Sequence, residues 1–217
     1  MEVTYLGHAA FLLKHKDVKL VCDPVGTAAG FKQAKVDADI VTISHDHHDD
    51  HNVLTNIGGT PMVIKGPGEY EVKGVTIFGF ATFHDDKEGK ERGRNTIYSI
   101  HMDEINLCHL GDLGHTLSDD QVRRLGEVDV LMVPTGGVFS LDPETAWKVV
   151  EQINPYIVVP MHNKTSEHNS NFSKLSPVED FVKVSGLEPK HLDKLVVKKG
   201  ELNEEQLELV ILSRYGR

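Results

Sequence analysis

Residues 44 to 52 read Ser-His-Asp-His-His-Asp-Asp-His-Asn and follow directly on Ile40-Val41-Thr42-Ile43. So apolar a run suits a strand buried on both faces, which puts the cluster at a strand end. Imidazole and carboxylate are the ligands suited to a borderline divalent ion, and this many within one turn would repel or desolvate badly without a cation. On extended backbone His45 and His47 point to the same side and can grip one ion. An Asp-His pair a turn later can reach a neighbouring ion. A polar, solvated loop that happens to be rich in histidine is the plainer alternative.

The rest of the chain bears on that choice. It holds 13 histidines in 217 residues, roughly twice what average composition supplies. Phe83-His84-Asp85 follows the β-rich segment 75 to 82, His109-Leu110-Gly111-Asp112 closes the segment 105 to 110, and Pro160-Met161-His162-Asn163 closes 157 to 160. A lone strand-end histidine is more often a hydrogen-bonded surface or core group than a ligand. Their shared position argues otherwise, because loops at one edge of an open α/β sheet converge. His15, His101 and His191 stand in polar surroundings and are expected to be exposed.

Hydrophobic patterning supplies the frame. Val3 to Leu6 and Ala10 to Leu13 flank Gly7-His8 as a hairpin, with a third strand from Val18 to Cys22 ended by Asp23-Pro24. Val36 to Ser44 reads as one strand, and the short runs from Pro61 to Ile100 as a largely antiparallel sheet. Beyond residue 105, strand-like runs at 105–110, 128–133 and 157–160 alternate with helical segments at 118–125 and 143–153. Ser118 before Asp119-Asp120, and Asp142-Pro143-Glu144, are helix-start signals. A further helix is expected from Pro177 to Val184, then strands around Leu195–Val197 and Leu207–Leu212. Two sheets with outer helices in four layers, as a single domain over 1–217, is the architecture this order suggests.

Composition narrows the function. A formal net charge of -10 argues against phosphate-backbone binding, so nucleic acid is not an expected partner. No stretch has the roughly 18 consecutive apolar residues of a membrane span, and no cleavable signal opens the chain, so a cytoplasmic location is expected. Cys22 and Cys108 sit in apolar runs and read as buried hydrophobes rather than a disulfide. A small molecule is the expected substrate, and self-association is left open.

Taken in order, Leu6-Gly7-His8, Cys22-Asp23-Pro24, the 45 to 51 cluster, Thr82-Phe83-His84-Asp85, Cys108-His109-Leu110-Gly111-Asp112 and Val159-Pro160-Met161-His162 resemble the metallo-β-lactamase superfamily over nearly the whole length. The chain looks closest to that superfamily's small metal-dependent hydrolases, related to the sugar-phosphate lactonase type. The resemblance implies an α/β, four-layered αββα sandwich and a dinuclear centre, zinc being expected with manganese or iron as alternatives. It implies that His45, His47 and His84 hold the first ion, that Asp50, His51 and His162 hold the second, and that Asp112 bridges both. Asp23 looks like the family's structural aspartate below the site.

One departure concerns register. The family pattern is His-x-His-x-Asp-His, and this chain has one residue more before the Asp-His pair. An insertion that keeps His45, His47, Asp50 and His51 preserves every ligand type, and a loop absorbs one residue cheaply. Asp49 and His48 remain substitutes.

The implied chemistry is hydrolysis of a small-molecule ester, lactone or phosphoester by a water that the two ions activate. Asp50 or Asp112 could accept the water's proton, and His8 or His115 could protonate the leaving group. His109 reads as a strand residue making a supporting hydrogen bond, and His168 as a loop residue bordering the pocket. The rivals are a nuclease or phosphodiesterase on the same metals and a metal-binding protein without turnover. Iron redox chemistry fits less well, because the flavin-partnered relatives carry a glutamate where this chain has His47.

Overall fold

The computed structural model describes residues 1–46, 52–203 and 206–216. Residues 47–51 aside, every strand end named above falls within it. The chain opens with β1 (Glu2–Gly7), β2 (Ala10–His15) and β3 (Val18–Cys22), followed by the short β4 (Val36–Asp37), β5 (Ile40–Ile43), β6 (Ile57–Gly58) and β7 (Met62–Lys65). Then come β8 (Gly68–Val72), β9 (Val75–Phe83), β10 (Arg94–Met102), β11 (Ile105–His109), helix α1 (Asp119–Leu125), β12 (Val130–Pro134), α2 (Pro143–Ile153) and β13 (Ile157–Met161). The last elements are α3 (Val178–Ser185), β14 (Lys190–Leu192), β15 (Leu195–Val196) and β16 (Glu208–Leu212).

Two sheets result. The first has the order β15-β1-β2-β3-β5-β7, and the second the order β14-β16-β13-β12-β11-β10-β9-β8. Period-2 alternation assigns each strand's two faces. In β3, Leu20 and Cys22 turn into the layer between the sheets, where they join Phe11, Tyr98, Leu107 and Met132. Val21 turns outward to join Val41 and Ile43 under Phe172 and Leu175. Burying a side chain of this size contributes about 1.5–3 kcal/mol, so the alternation pins the register of both sheets.

The helices cover the second sheet. Ala146, Val149, Val150 and Ile153 of α2 pack on Leu131, Val133 and Val158 together with Phe181 of α3. The predicted caps are in place. Ser118 Oγ accepts the Gln121 N–H while Gln121 Oε1 accepts the Ser118 N–H, and Asp142 Oδ1 accepts the Thr145 N–H at 2.8 Å.

The α/β sandwich is as expected, with the first sheet's outer face covered, among the described residues, by loops and 3-10 turns at Thr27–Ala29 and Ser170–Phe172. Two other expectations need correction. The first-half strands pair antiparallel in β1–β2–β3 and in β8–β9–β10, as expected, but β3, β5 and β7 pair in parallel. The run from Val36 to Ser44 is two strands, because Asp39 turns aside to bond Lys19 through both its backbone N–H and its carboxylate.

The topology decides where side chains can meet. β9 and β11 both lie antiparallel to β10, and β11, β12 and β13 are parallel, so β9, β11 and β13 end at the same sheet edge. Open α/β sheets collect their functional loops at such an edge.

Candidate metal centre

His45 follows β5, His84 follows β9, Asp112 follows β11 and His162 follows β13. Asp112 Oδ2 lies 3.1 Å from His162 Nε2, 3.4 Å from His84 Nε2 and 3.7 Å from His45 Nε2. All four residues are buried. One ligand atom each from His45, His84 and Asp112 falls within a 4.8 Å set. Ligand atoms about 2.0–2.2 Å from a tetrahedral ion are separated by about 3.3–3.6 Å, so the spacing and the donor types fit a divalent cation. His47, His48, Asp49, Asp50 and His51 lie outside the described residues.

Hydrogen bonds orient the imidazole that leads the cluster. Asp23 accepts the Ser44 N–H on Oδ1 at 2.7 Å and the Ser44 hydroxyl on Oδ2 at 2.5 Å. The hydroxyl hydrogen being committed to Asp23, Ser44 Oγ accepts from His45 Nδ1 at 2.8 Å. That tautomer leaves the Nε2 lone pair facing Asp112, the arrangement seen where a histidine's second nitrogen fixes its ligating one. Asp23 itself takes a positive φ of 40°.

Asp112 is placed by its neighbours in the same way. Its N–H donates to Asn95 Oδ1 at 3.0 Å, while Asn95 Nδ2 donates to Leu110 O and Thr82 Oγ1. Gly111 turns the chain at φ 58°, and a Cβ there would run into Asn95 Oδ1 and Ser44. His84 leads into a loop wound on Asp85, whose carboxylate accepts the N–H groups of Lys87, Gly89, Glu91 and Arg92. Desolvation pushes the Asp85 carboxyl up, but the four donors outweigh it and hold the group at about 2. Ser44, Asn95 and the anchoring role of Asp85 escape a motif search. A polar Asn95 inside a strand run was the available signal for one of them.

The remaining histidines divide. His8, at the tip of the opening hairpin with φ 57°, is buried with its ring centroid 4.0 Å from that of His162. Its carbonyl accepts from His162 N at 2.8 Å and from the Tyr5 hydroxyl at 3.0 Å. The Thr165 N–H donates to His168 Nδ1, so His168 Nε2 carries the hydrogen and donates to His8 Nδ1 at 3.3 Å. Burial, and after it the nearby His162, lower the His168 pKa to about 4. His168 therefore stays neutral near pH 7, and its hydrogen bond makes Nε2 the nitrogen that carries the hydrogen of neutral His8.

His115, expected beside a leaving group, is differently engaged. Its Nε2 accepts the Phe83 N–H at 3.2 Å and its Nδ1 donates to Thr116 O at 2.7 Å. Both ring nitrogens are spent on backbone, and the ring acts as a strut under the His84 loop. His109 is buried, with Nε2 donating to Ala9 O at 2.8 Å and Nδ1 accepting the Gly111 N–H at 3.2 Å. Burial pushes the thiols of Cys22 and Cys108 well above the ordinary cysteine range, which keeps them out of the chemistry. Among the described residues, no helix is long and apolar enough to cross a membrane.

Comparison with known proteins bears on the fold and the family. Residues 2–162 match the family described as Beta-lactamase superfamily domain. A Pyrococcus abyssi protein named UPF0173 metal-dependent hydrolase is 30% identical over 87% of this chain and 97% of its own length. A Thermococcus onnurineus protein of the same name is 28% identical over 94% of this chain and 99% of its own. A Thermotoga maritima crystal structure, described as a candidate Zn-dependent hydrolase of the metallo-beta-lactamase superfamily, superposes with a TM-score of 0.80 at 34% identity and covers 97% of each chain. Motif order, sheet topology and full-length similarity thus converge, and the chain belongs to the metallo-β-lactamase superfamily, among the metal-dependent hydrolases.

Proposed function

We propose that this metal-dependent hydrolase cleaves a small-molecule ester, lactone or phosphoester at a two-ion centre, zinc being the expected metal. The observation that carries the reading is the position of Asp112 Oδ2 within 3.7 Å of the Nε2 atoms of three buried histidines from three other segments. An oxygen so placed is suited to lie between two cations, where its charge offsets their repulsion. In this reading His45, His47 and His84 hold one ion, Asp50, His51 and His162 hold the other, and Asp112 bridges.

When bound, two such ions lower the pKa of a shared water toward neutrality and polarise the electrophile. The protein's own groups do the rest. Asp23 and Ser44 lock the His45 tautomer, Asn95 fixes the backbone of Asp112, and Asp112 or Asp50 takes up the proton of the attacking water. His8, its Nδ1 occupied by His168, offers Nε2–H to the leaving group.

The test is metal analysis by mass spectrometry, followed by assay of the metal-loaded protein on lactones, thioesters and phosphodiesters. Two equivalents of metal per chain and chelator-sensitive turnover are expected. A single equivalent, or turnover indifferent to chelation, would overturn the two-ion reading.

A further inference from the structure

A cleft of about 410 Å³ next to His45 is lined by Ser44, Asp46, Lys65, Arg92 and Arg94 among others. In a chain of formal net charge -10, three cations face one carboxylate there. Lys65 Nζ stands 3.3 Å from Asp46. Arg92 and Arg94 are exposed, and neither guanidinium has an ion pair or hydrogen bond among the described residues.

The backbone beneath these arginines is held firmly. The Arg92 N–H donates to Asp85 Oδ2 at 2.7 Å, and the Gly93 carbonyl accepts the His84 N–H at 3.1 Å. Arg94 is the register partner of Phe83. Asn95 holds Asp112, and the Thr96 N–H donates to Ser44 O at 2.8 Å. Residues 92–96 are therefore stitched to the segments that carry His84, Asp112 and His45, while the two guanidinium groups stay available to a ligand. A solvated basic face is the ordinary fate of exposed arginines. Here they stand on anchored backbone, in one cleft with a candidate metal ligand, and with a sign opposite to that of the whole chain.

We propose that Arg92 and Arg94 form an oxyanion subsite that selects substrates bearing a carboxylate or phosphate group remote from the bond that is cleaved. This deepens the hydrolase reading and rests on it for the word substrate. A guanidinium presents a planar fork of donors matched to either oxyanion. A cleft lined by one sign of charge also concentrates anions at its mouth.

The test measures binding apart from turnover. Metal-loaded wild type and the Arg92→Gln/Arg94→Gln double variant, matched for metal content, are titrated at low ionic strength with inorganic phosphate and separately with acetate. Phosphate can also meet the ions themselves, so the quantity read is the difference between the two proteins. At least a tenfold loss of affinity for one probe in the double variant is expected, and the probe that suffers it assigns phosphate or carboxylate. A smaller loss for both probes overturns the subsite. The Lys190→Gln variant, on the far edge strand, controls for a general charge effect; an equal loss there also overturns it. Should the glutamine variant fail to fold, Arg92→Lys/Arg94→Lys keeps the charge without the fork and is held to a threefold loss. If no ester, lactone or phosphoester is turned over yet the loss of binding is seen, the proposed reaction falls and the subsite stands. In the turnover arm, the double variant should lose at least tenfold more kcat/KM on an ester with a remote carboxylate than on its neutral analogue, and equal losses on the two would refute substrate selection.

Discussion

Asp23 grips Ser44 with both carboxylate oxygens, and through the Ser44 hydroxyl it sets which nitrogen of His45 faces Asp112. Asp23→Asn keeps the shape but puts an amide where a second acceptor is needed, so the His45 tautomer is no longer enforced. Groups that support a ligand in this way typically govern about 10–100-fold in metal affinity. Competition titration with a chromogenic chelator should record a loss of that size while circular dichroism stays unchanged. Wild-type affinity in the variant would remove Asp23 from the metal argument.

Asp112→Asn reduces the charge where three histidine nitrogens meet one carboxylate oxygen. Loss of at least one metal per chain is expected with little loss of fold, because the surrounding strands pack without reference to that charge. Mass spectrometry of the purified variant decides the matter, and unchanged stoichiometry would exclude a bridging role.

Metal removal should also lower stability. The three buried histidines of the site and Asp112 belong to four separate segments, so an ion that binds only the folded chain adds about 2.7 kcal/mol at a free concentration 100 times its Kd. Chelation should therefore lower Tm by several degrees and readdition should restore it. A Tm indifferent to chelator would mean that no ion is bound preferentially by the folded chain.

Tyr98, fully buried on β10, ties the two sheets together beneath the site by donating to Ile43 O at 2.8 Å and accepting the Gly66 N–H at 3.0 Å. Tyr98→Phe strands both groups at a cost of about 1–3 kcal/mol. Urea unfolding should show that loss with an unchanged m value. A variant as stable as wild type would mean that water replaces the hydroxyl.

The register of the 45 to 51 segment is open to direct test. If the extra residue precedes Asp50, Asp50→Ala removes both a bond and a compensating charge and should weaken the second ion far more than Asp49→Ala. Metal titration of the two variants that finds the reverse order would establish Asp49 as the carboxylate.

Much of this protein is local in origin and therefore legible along the chain. The period-2 alternation of β3, the apolar runs of β12 and β13, and the caps at Ser118 and Asp142 each depend on neighbours a few residues away. The placement of His45, His84, Asp112 and His162 at strand ends follows from the same patterns, and the order of motifs carries the fold family. What tertiary structure decided rests on partners far apart in sequence. Asp23 reaches Ser44 only because β3 and β5 pair in parallel, and Asn95 reaches Asp112 only because β10 returns beside β11. Nothing local distinguishes His8 from His115, both of which follow a glycine. Packing set the first against His162 and His168 and tied both nitrogens of the second to backbone. Residue type offers a hydrogen bond, and strand order, fixed by burial over the whole chain, determines which group receives it.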